Sequence, residues 1–173
     1  MKKNSSILIG LLYVFLTVIL VIIDQFTKHL AVIKLKGNES YILIKGIFEL
    51  HYLENRGAAF GILQNQKIFF IIITVLLIAL LVMIFVRMPM TAHFRLMRFV
   101  ITLFLAGAVG NLIDRCMHDY VVDFFYFVLI DFPIFNVADI YVVVAAILFV
   151  VVFLFYYKED DFKQVFPYGR HKN

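Results

Sequence analysis

Two aspartates, Asp123 and Asp139, stand in otherwise apolar company, in Val121-Val122-Asp123-Phe124 and Phe135-Asn136-Val137-Ala138-Asp139. A carboxylate at the centre of a bilayer costs about 2.5–3.5 kcal/mol on insertion scales, so an unpaired one there calls for a function. Two carboxyls on either side of one short loop can share a proton and activate water, which is how an aspartic protease works.

Other polar residues interrupt the apolar chain, and each has a bland reading beside a functional one. Asp24 and Lys28 are spaced i, i+4 and share a helical face, either as a plain ion pair at the membrane interface or as part of a site. Asn55-Arg56-Gly57-Ala58-Ala59-Phe60-Gly61 is either a turn into the next helix or a backbone lining a substrate groove, with Asn55 as a hydrogen-bonding hook. In Gly110-Asn111-Leu112-Ile113-Asp114-Arg115, Asn111 and Arg115 share a face while Asp114 is rotated away from Asn111. Asn111 could simply link helices, and Arg115 could snorkel to headgroups or hold a nearby carboxylate ionised. Asn136 is placed to cap the helix that carries Asp139, and the helix dipole alone would favour a carboxylate there. Asp114 is the rival for the catalytic role; its neighbour Arg115 is expected to keep it charged and structural. Singly these readings are tolerable. Together they leave unexplained why the polar groups gather toward one membrane face.

The elements that position them follow from composition. The 173 residues are 64% hydrophobic and 16% charged, against about 45–50% apolar for a soluble domain. About 20 apolar residues cross a bilayer core, which places helices at about 7–28, 68–86, 96–113 and 137–157. The first apolar run is too long for a signal-peptide core and has no small-residue cleavage site after it, so it reads as a retained helix. Lys2 and Lys3, then Arg87, Arg95 and Arg98, then Lys158, Lys163, Arg170 and Lys172 mark three regions as cytoplasmic. Both termini are then inside, and Asp123 and Asp139 lie near the outer face.

The first outer loop is too long for a mere connector. Tyr41-Ile42-Leu43-Ile44 and Ile47-Phe48-Glu49-Leu50-His51-Tyr52 predict two strands about a Lys45-Gly46 turn, an outer β element at about 41–55. Phe48, Leu50 and Tyr52 form an apolar face suited to the membrane surface. Residues 158–173 read as a charged, mobile cytoplasmic tail. The one cysteine, Cys116, excludes an internal disulfide and reads as inert packing. His29, His51, His93, His118 and His171 are scattered without metal-ligand spacing, and no Gly-x-Ser-x-Gly or phosphate-binding glycine loop is present.

These residues resemble lipoprotein signal peptidase, the signal peptidase II family of bacterial aspartic proteases. Five motifs carry the resemblance, in order: Asp24 to Lys28, Asn55 to Gly61, Gly110 to Arg115, Val121 to Phe124, and Phe135 to Asp139. The resemblance implies an all-α integral membrane protein with four transmembrane helices and a small extracytoplasmic β-cradle from the first outer loop. The whole chain, 1–173, would form one membrane-embedded peptidase domain. It implies Asp123 and Asp139 as the catalytic pair, with Asn55, Gly57, Asn111, Arg115, Asn136, Asp24 and Lys28 binding substrate or supporting the site.

The implied substrates are diacylglyceryl-modified prolipoproteins, cut just before the lipidated cysteine at the outer face of the bacterial inner membrane. Globomycin-type cyclic peptides are the implied inhibitors. Membrane lipids surround such a chain; no cofactor, metal or nucleic acid is called for, and a monomer is expected. The contrasting possibility is a small ion-coupled transporter using paired aspartates. That reading wants polar groups near the midplane and broken helices, whereas here they cluster toward one face and the second helix is uninterrupted.

Overall fold

The computed structural model describes residues 3–57, 64 and 66–166. Its element order is α1 (Lys3–Leu35), β1 (Tyr41–Ile44), β2 (Phe48–Asn55), α2 (Lys67–Arg87), α3 (Arg95–His118), β3 (Val121–Tyr126), α4 (Val137–Phe155) and α5 (Glu159–Val165). Four of these helices, α1 to α4, are long and apolar enough to cross a membrane. Their outward faces stay apolar and exposed, as with Leu8, Ile68 and Leu76, which suits lipid rather than water. Local chemistry ends the elements. Met88 is extended because Pro89 follows it, closing α2, and Asp119 takes a left-handed conformation (φ 67°) to close α3.

The central helix is α3, which packs on α1, α2 and α4. Its buried stripe includes Val100, Ile101, Leu103, Ala106, Gly107, Ala108 and Gly110. Two of the glycines are there because neighbouring atoms leave no room for a side chain. A Cβ at Gly107 would lie 2.6 Å from the Ala138 carbonyl oxygen and 2.6 Å from Val142 Cγ2; one at Gly110 would lie 2.5 Å from Asp24 Oδ2. Gly107→Ala therefore tests two opposing effects. Alanine improves helix propensity by about 1 kcal/mol, but overpacking against a backbone carbonyl costs about 1–3 kcal/mol. We expect the clash to win and the thermal midpoint in detergent to fall.

On the sheet, the sequence-based expectation needs extending. The strands run in the order β1-β2-β3, both pairings antiparallel, and β3 is the very segment that carries Asp123. Asp123 faces Leu53 across the ladder and Val121 faces Asn55, so strand pairing brings Asn55 to the aspartate. The β-branched and aromatic run Val121-Val122-Asp123-Phe124-Phe125-Tyr126 has strand composition. Nothing local says that it pairs with a loop almost 70 residues earlier.

Three further expectations are corrected. The apolar face of β2 does not simply lie on the membrane: Leu50 and Tyr52 pack with Ala31 and Leu35 of α1 and with Val122 and Phe124 of β3. That packing also explains why α1 continues to Leu35, past the expected end near Lys28. The expected tail 158–173 is helical in part, at Glu159–Val165, and residues 167–173 lie outside the described residues. The acidic first turn of α5 favours a helix N-terminus, Asp161 accepts a hydrogen bond from the Lys158 amide at 2.9 Å, and Val165 is buried in the core. Cys116, expected as packing, is exposed.

Candidate active site

The site forms where α1, α3, β2, β3 and the start of α4 meet. At its base Lys28 Nζ lies 2.9 Å from Asp24 Oδ2, 3.1 Å from Asp114 Oδ2 and 2.9 Å from Asn111 Oδ1. Lys28, Asp24 and Asp114 are all buried. Buried charges survive only when paired and hydrogen-bonded, and both carboxylates meet that condition. Asp24 Oδ1 accepts from the Ala138 amide at 2.9 Å, tying α1 to the first turn of α4. Asp114 Oδ2 accepts from the Val122 amide at 3.0 Å, tying α3 to β3. The expected i, i+4 pair is thus the root of a network joining four elements. The cation in ion-pair contact with Asp114 is Lys28, while the adjacent Arg115 acts on it through charge at longer range.

Above this base sits a layer of asparagines. Asn111 Nδ2 donates to Asp139 Oδ1 at 2.8 Å. Asn136 is fully buried; its Nδ2 donates to Asp123 Oδ1 at 2.6 Å and to Asn111 Oδ1 at 3.1 Å. The same residue caps α4 reciprocally: its Oδ1 accepts from the Asp139 amide, and its own amide donates to Asp139 Oδ2, both at 3.0 Å. This is a capping box with aspartate in the place of the usual glutamate. Asn136 therefore holds one aspartate with its side chain and the other with its backbone. Asn55 Nδ2 donates to Asp123 Oδ2 at 2.8 Å, and the Gly57 amide fixes Asn55 by donating to its Oδ1 at 3.0 Å. Ala58 to Gly61, the remainder of that motif, lie outside the described residues.

Both aspartates open on a cleft of about 580 Å³ that Asn55, Gly57, Asn111 and Arg115 also line. The remaining walls are apolar, from Phe127, Ile130 and Phe132 after β3 and from Ile140 and Val143 on α4. Arg115 packs its guanidinium 5.0 Å from the centre of the Phe70 ring and feels the charges of Asp139 and Asp123. Asp123 is the perturbed acid. Burial first, and the charge of Asp139 second, push its carboxyl up to about 7, against the opposing hydrogen bonds from Asn55 and Asn136.

The sequence pattern of the signal peptidase (SPase) II family matches residues 16–155. The lipoprotein signal peptidase of Caldanaerobacter subterraneus subsp. tengcongensis is 46% identical over 136 residues, covering 78% of this chain and 90% of that one. The lipoprotein signal peptidase of Clostridium tetani is 40% identical over 146 residues, covering 83% and 90%. The chain belongs to the signal peptidase II family. A bacterial membrane enzyme solved in meso at 2.3 Å resolution superposes with a TM-score of 0.70 at 34% identity, over 89% of this chain and 90% of its own.

Signal peptidase II is a peptidase, and membership makes this chain a multi-pass bacterial membrane protein. The ion-coupled transporter considered from the sequence finds no support among these relatives. The structure brings together all nine residues singled out from the sequence. One further residue of this signal peptidase II chain escaped notice. Gln25 Nε2 donates to Asp114 Oδ1 at 2.9 Å and to the Gly110 carbonyl at 3.1 Å, locking α1 against α3. Its position three residues before Lys28, on the same helical face, was the available signal.

Proposed function

We propose that Asp123 and Asp139 are the catalytic pair of an aspartic endopeptidase that removes signal peptides from diacylglyceryl-modified prolipoproteins just before the lipidated cysteine. The observation that carries this reading is the Asn136 bridge, which grips both carboxyls while both open on one apolar-walled cleft. Asp123, pushed up to about 7, holds the shared proton near neutrality, and the role of base falls to its partner Asp139.

Asp139 takes a proton from water as the water oxygen attacks the scissile carbonyl, and Asp123 donates to the developing oxyanion. On collapse the carbon–nitrogen bond breaks. The leaving amine takes the proton from Asp139, and Asp123 recovers its own. Arg115 adds positive charge at the rim. The apolar walls suit the substrate's acyl chains, and the same cleft is the expected seat of globomycin-type inhibitors. With both termini cytoplasmic, the pair stands near the outer face, where such a substrate presents its peptide bond at headgroup depth.

The test is a pH profile of cleavage of a lipidated prolipoprotein by the purified protein, scored by gel shift, with and without EDTA. Because the active form carries the Asp123 proton, kcat/KM falls as pH rises through about 7. The chelator leaves the profile unchanged. A rate still climbing well above that pH would remove Asp123 as the acid, and loss of activity on chelation would sink the dyad mechanism.

A further inference from the structure

At the end of the bundle remote from the aspartates a second groove, of about 520 Å³, opens between α1 and α2. Gly10 and Tyr13 on one wall face Phe85 and Val86 on the other, with Thr102 and Leu105 of α3 as floor. Fourteen residues of helix separate Gly10 from Asp24, roughly 21 Å at 1.5 Å per residue, so this groove is not part of the catalytic cleft.

Besides Ser6, the hydroxyls that line it are already engaged. Thr102 Oγ1 donates to the Arg98 carbonyl, Thr17 Oγ1 to the Tyr13 carbonyl, and the Tyr13 hydroxyl to the Arg95 carbonyl. The groove therefore offers an apolar slot. A Cβ at Gly10 would meet nothing within 4 Å, so the slot is open there.

Cations flank this slot beside its lining residues Val86 and Tyr13. Arg87 ends α2, Arg95 begins α3, and both are exposed, while Arg98 is 2% exposed. Arg98 donates to the Pro89 and Thr91 carbonyls at 2.7 Å each, and its guanidinium lies 5.5 Å from the centre of the Tyr13 ring. Its Nε has no hydrogen-bond partner. Among the described residues no carboxylate pairs with any of the three arginines. The acids of α5 at the same end are engaged elsewhere, Glu159 and Asp160 with Lys163, and Asp161 with His93. A sealed cation without a counter-ion beside two exposed ones is an uncompensated positive field.

We propose that this groove binds an anionic glycerophospholipid of the adjacent leaflet, with an acyl chain along Gly10 and Val86 and the phosphate at Arg87 and Arg95. Basic pockets between transmembrane helices favour such headgroups. Arg98, sealed from direct contact, contributes through its field, and the phosphate supplies the negative charge that the chain omits. The site is independent of the catalytic reading.

The test is native mass spectrometry of the delipidated full chain titrated with dioleoyl-phosphatidylglycerol or dioleoyl-phosphatidylcholine. Wild type should retain one phosphatidylglycerol preferentially, with a matching rise in melting temperature. The double substitution Arg87→Gln, Arg95→Gln, confined to exposed side chains, should lower that retention roughly tenfold or more. Gly10→Phe, which fills the slot, should lower it for both lipids. Equal retention of the two lipids by wild type, or unchanged retention in the variants, would overturn the proposal. So would a wild-type dimer that Gly10→Phe converts to monomer, since a second copy would then occupy the groove.

Discussion

Asp123→Asn and Asp139→Asn should each abolish cleavage of a diacylglyceryl-modified prolipoprotein while leaving a folded protein, whereas Asp114→Asn should do the reverse. An amide in place of Asp123 can still accept from Asn55 or Asn136, so the structural loss is about one hydrogen bond, near 1 kcal/mol. The chemical loss is much larger. An amide can neither hold the shared proton nor serve as base, and losing one member of such a constellation costs roughly 10⁴-fold in rate. Asp114 does not itself line the cleft; it takes the Val122 amide, Gln25 and Lys28. Its substitution should lower the melting temperature and reduce activity only as the folded fraction falls. Gel-shift cleavage assays beside thermal melts in detergent separate the two behaviours. A folded, inactive Asp114→Asn with an active Asp123→Asn would mean that the dyad is misassigned.

Lys28→Met should be the most destabilising single change in the bundle. One ammonium pairs with two buried carboxyls and also orients Asn111, which in turn holds Asp139. Methionine keeps much of the stem's packing but strands Asp24 and Asp114, and breaking a buried pair in this way costs about 3–5 kcal/mol. Against a total stability of about 5–15 kcal/mol, that is a large share. Adding Asp24→Asn should restore part of the loss, because one stranded charge disappears. The double variant then falls short of the sum of the singles. Thermal or denaturant unfolding of the four proteins makes the measurement. If Lys28→Met melts like wild type, the network does not hold the helices together.

Small residues at Gly107 and Gly110 explain how so polar a layer can exist between lipid-facing helices. They let α4 and α1 approach α3 closely enough for Asp24 to reach the Ala138 amide. The chemistry is thus supported by backbone contact rather than by long side chains, which holds the carboxyls in fixed positions. The cleft inherits the same division. Its polar floor comes from β2, α3, β3 and the start of α4, while its apolar walls come largely from the segment after β3 and from α4.

Much of this was legible without coordinates, because composition and helical spacing are local. Four long apolar runs, the i, i+4 pairing of Asp24 with Lys28, and the cap at Asn136 each depend on residues near one another in the chain. The sequence by itself therefore determined the number of spans, most of the polar residue set and the family. What only the tertiary structure decided is who meets whom. Asn55 and Asp123, 68 positions apart, meet through a strand pairing that no local pattern specifies. Lys28 serves Asp114 as well as Asp24 because α1 and α3 pack closely, and α5 forms because Val165 finds the core. Such contacts depend on which apolar faces bury each other, and a carboxylate's partner follows from that packing rather than from its neighbours in the chain.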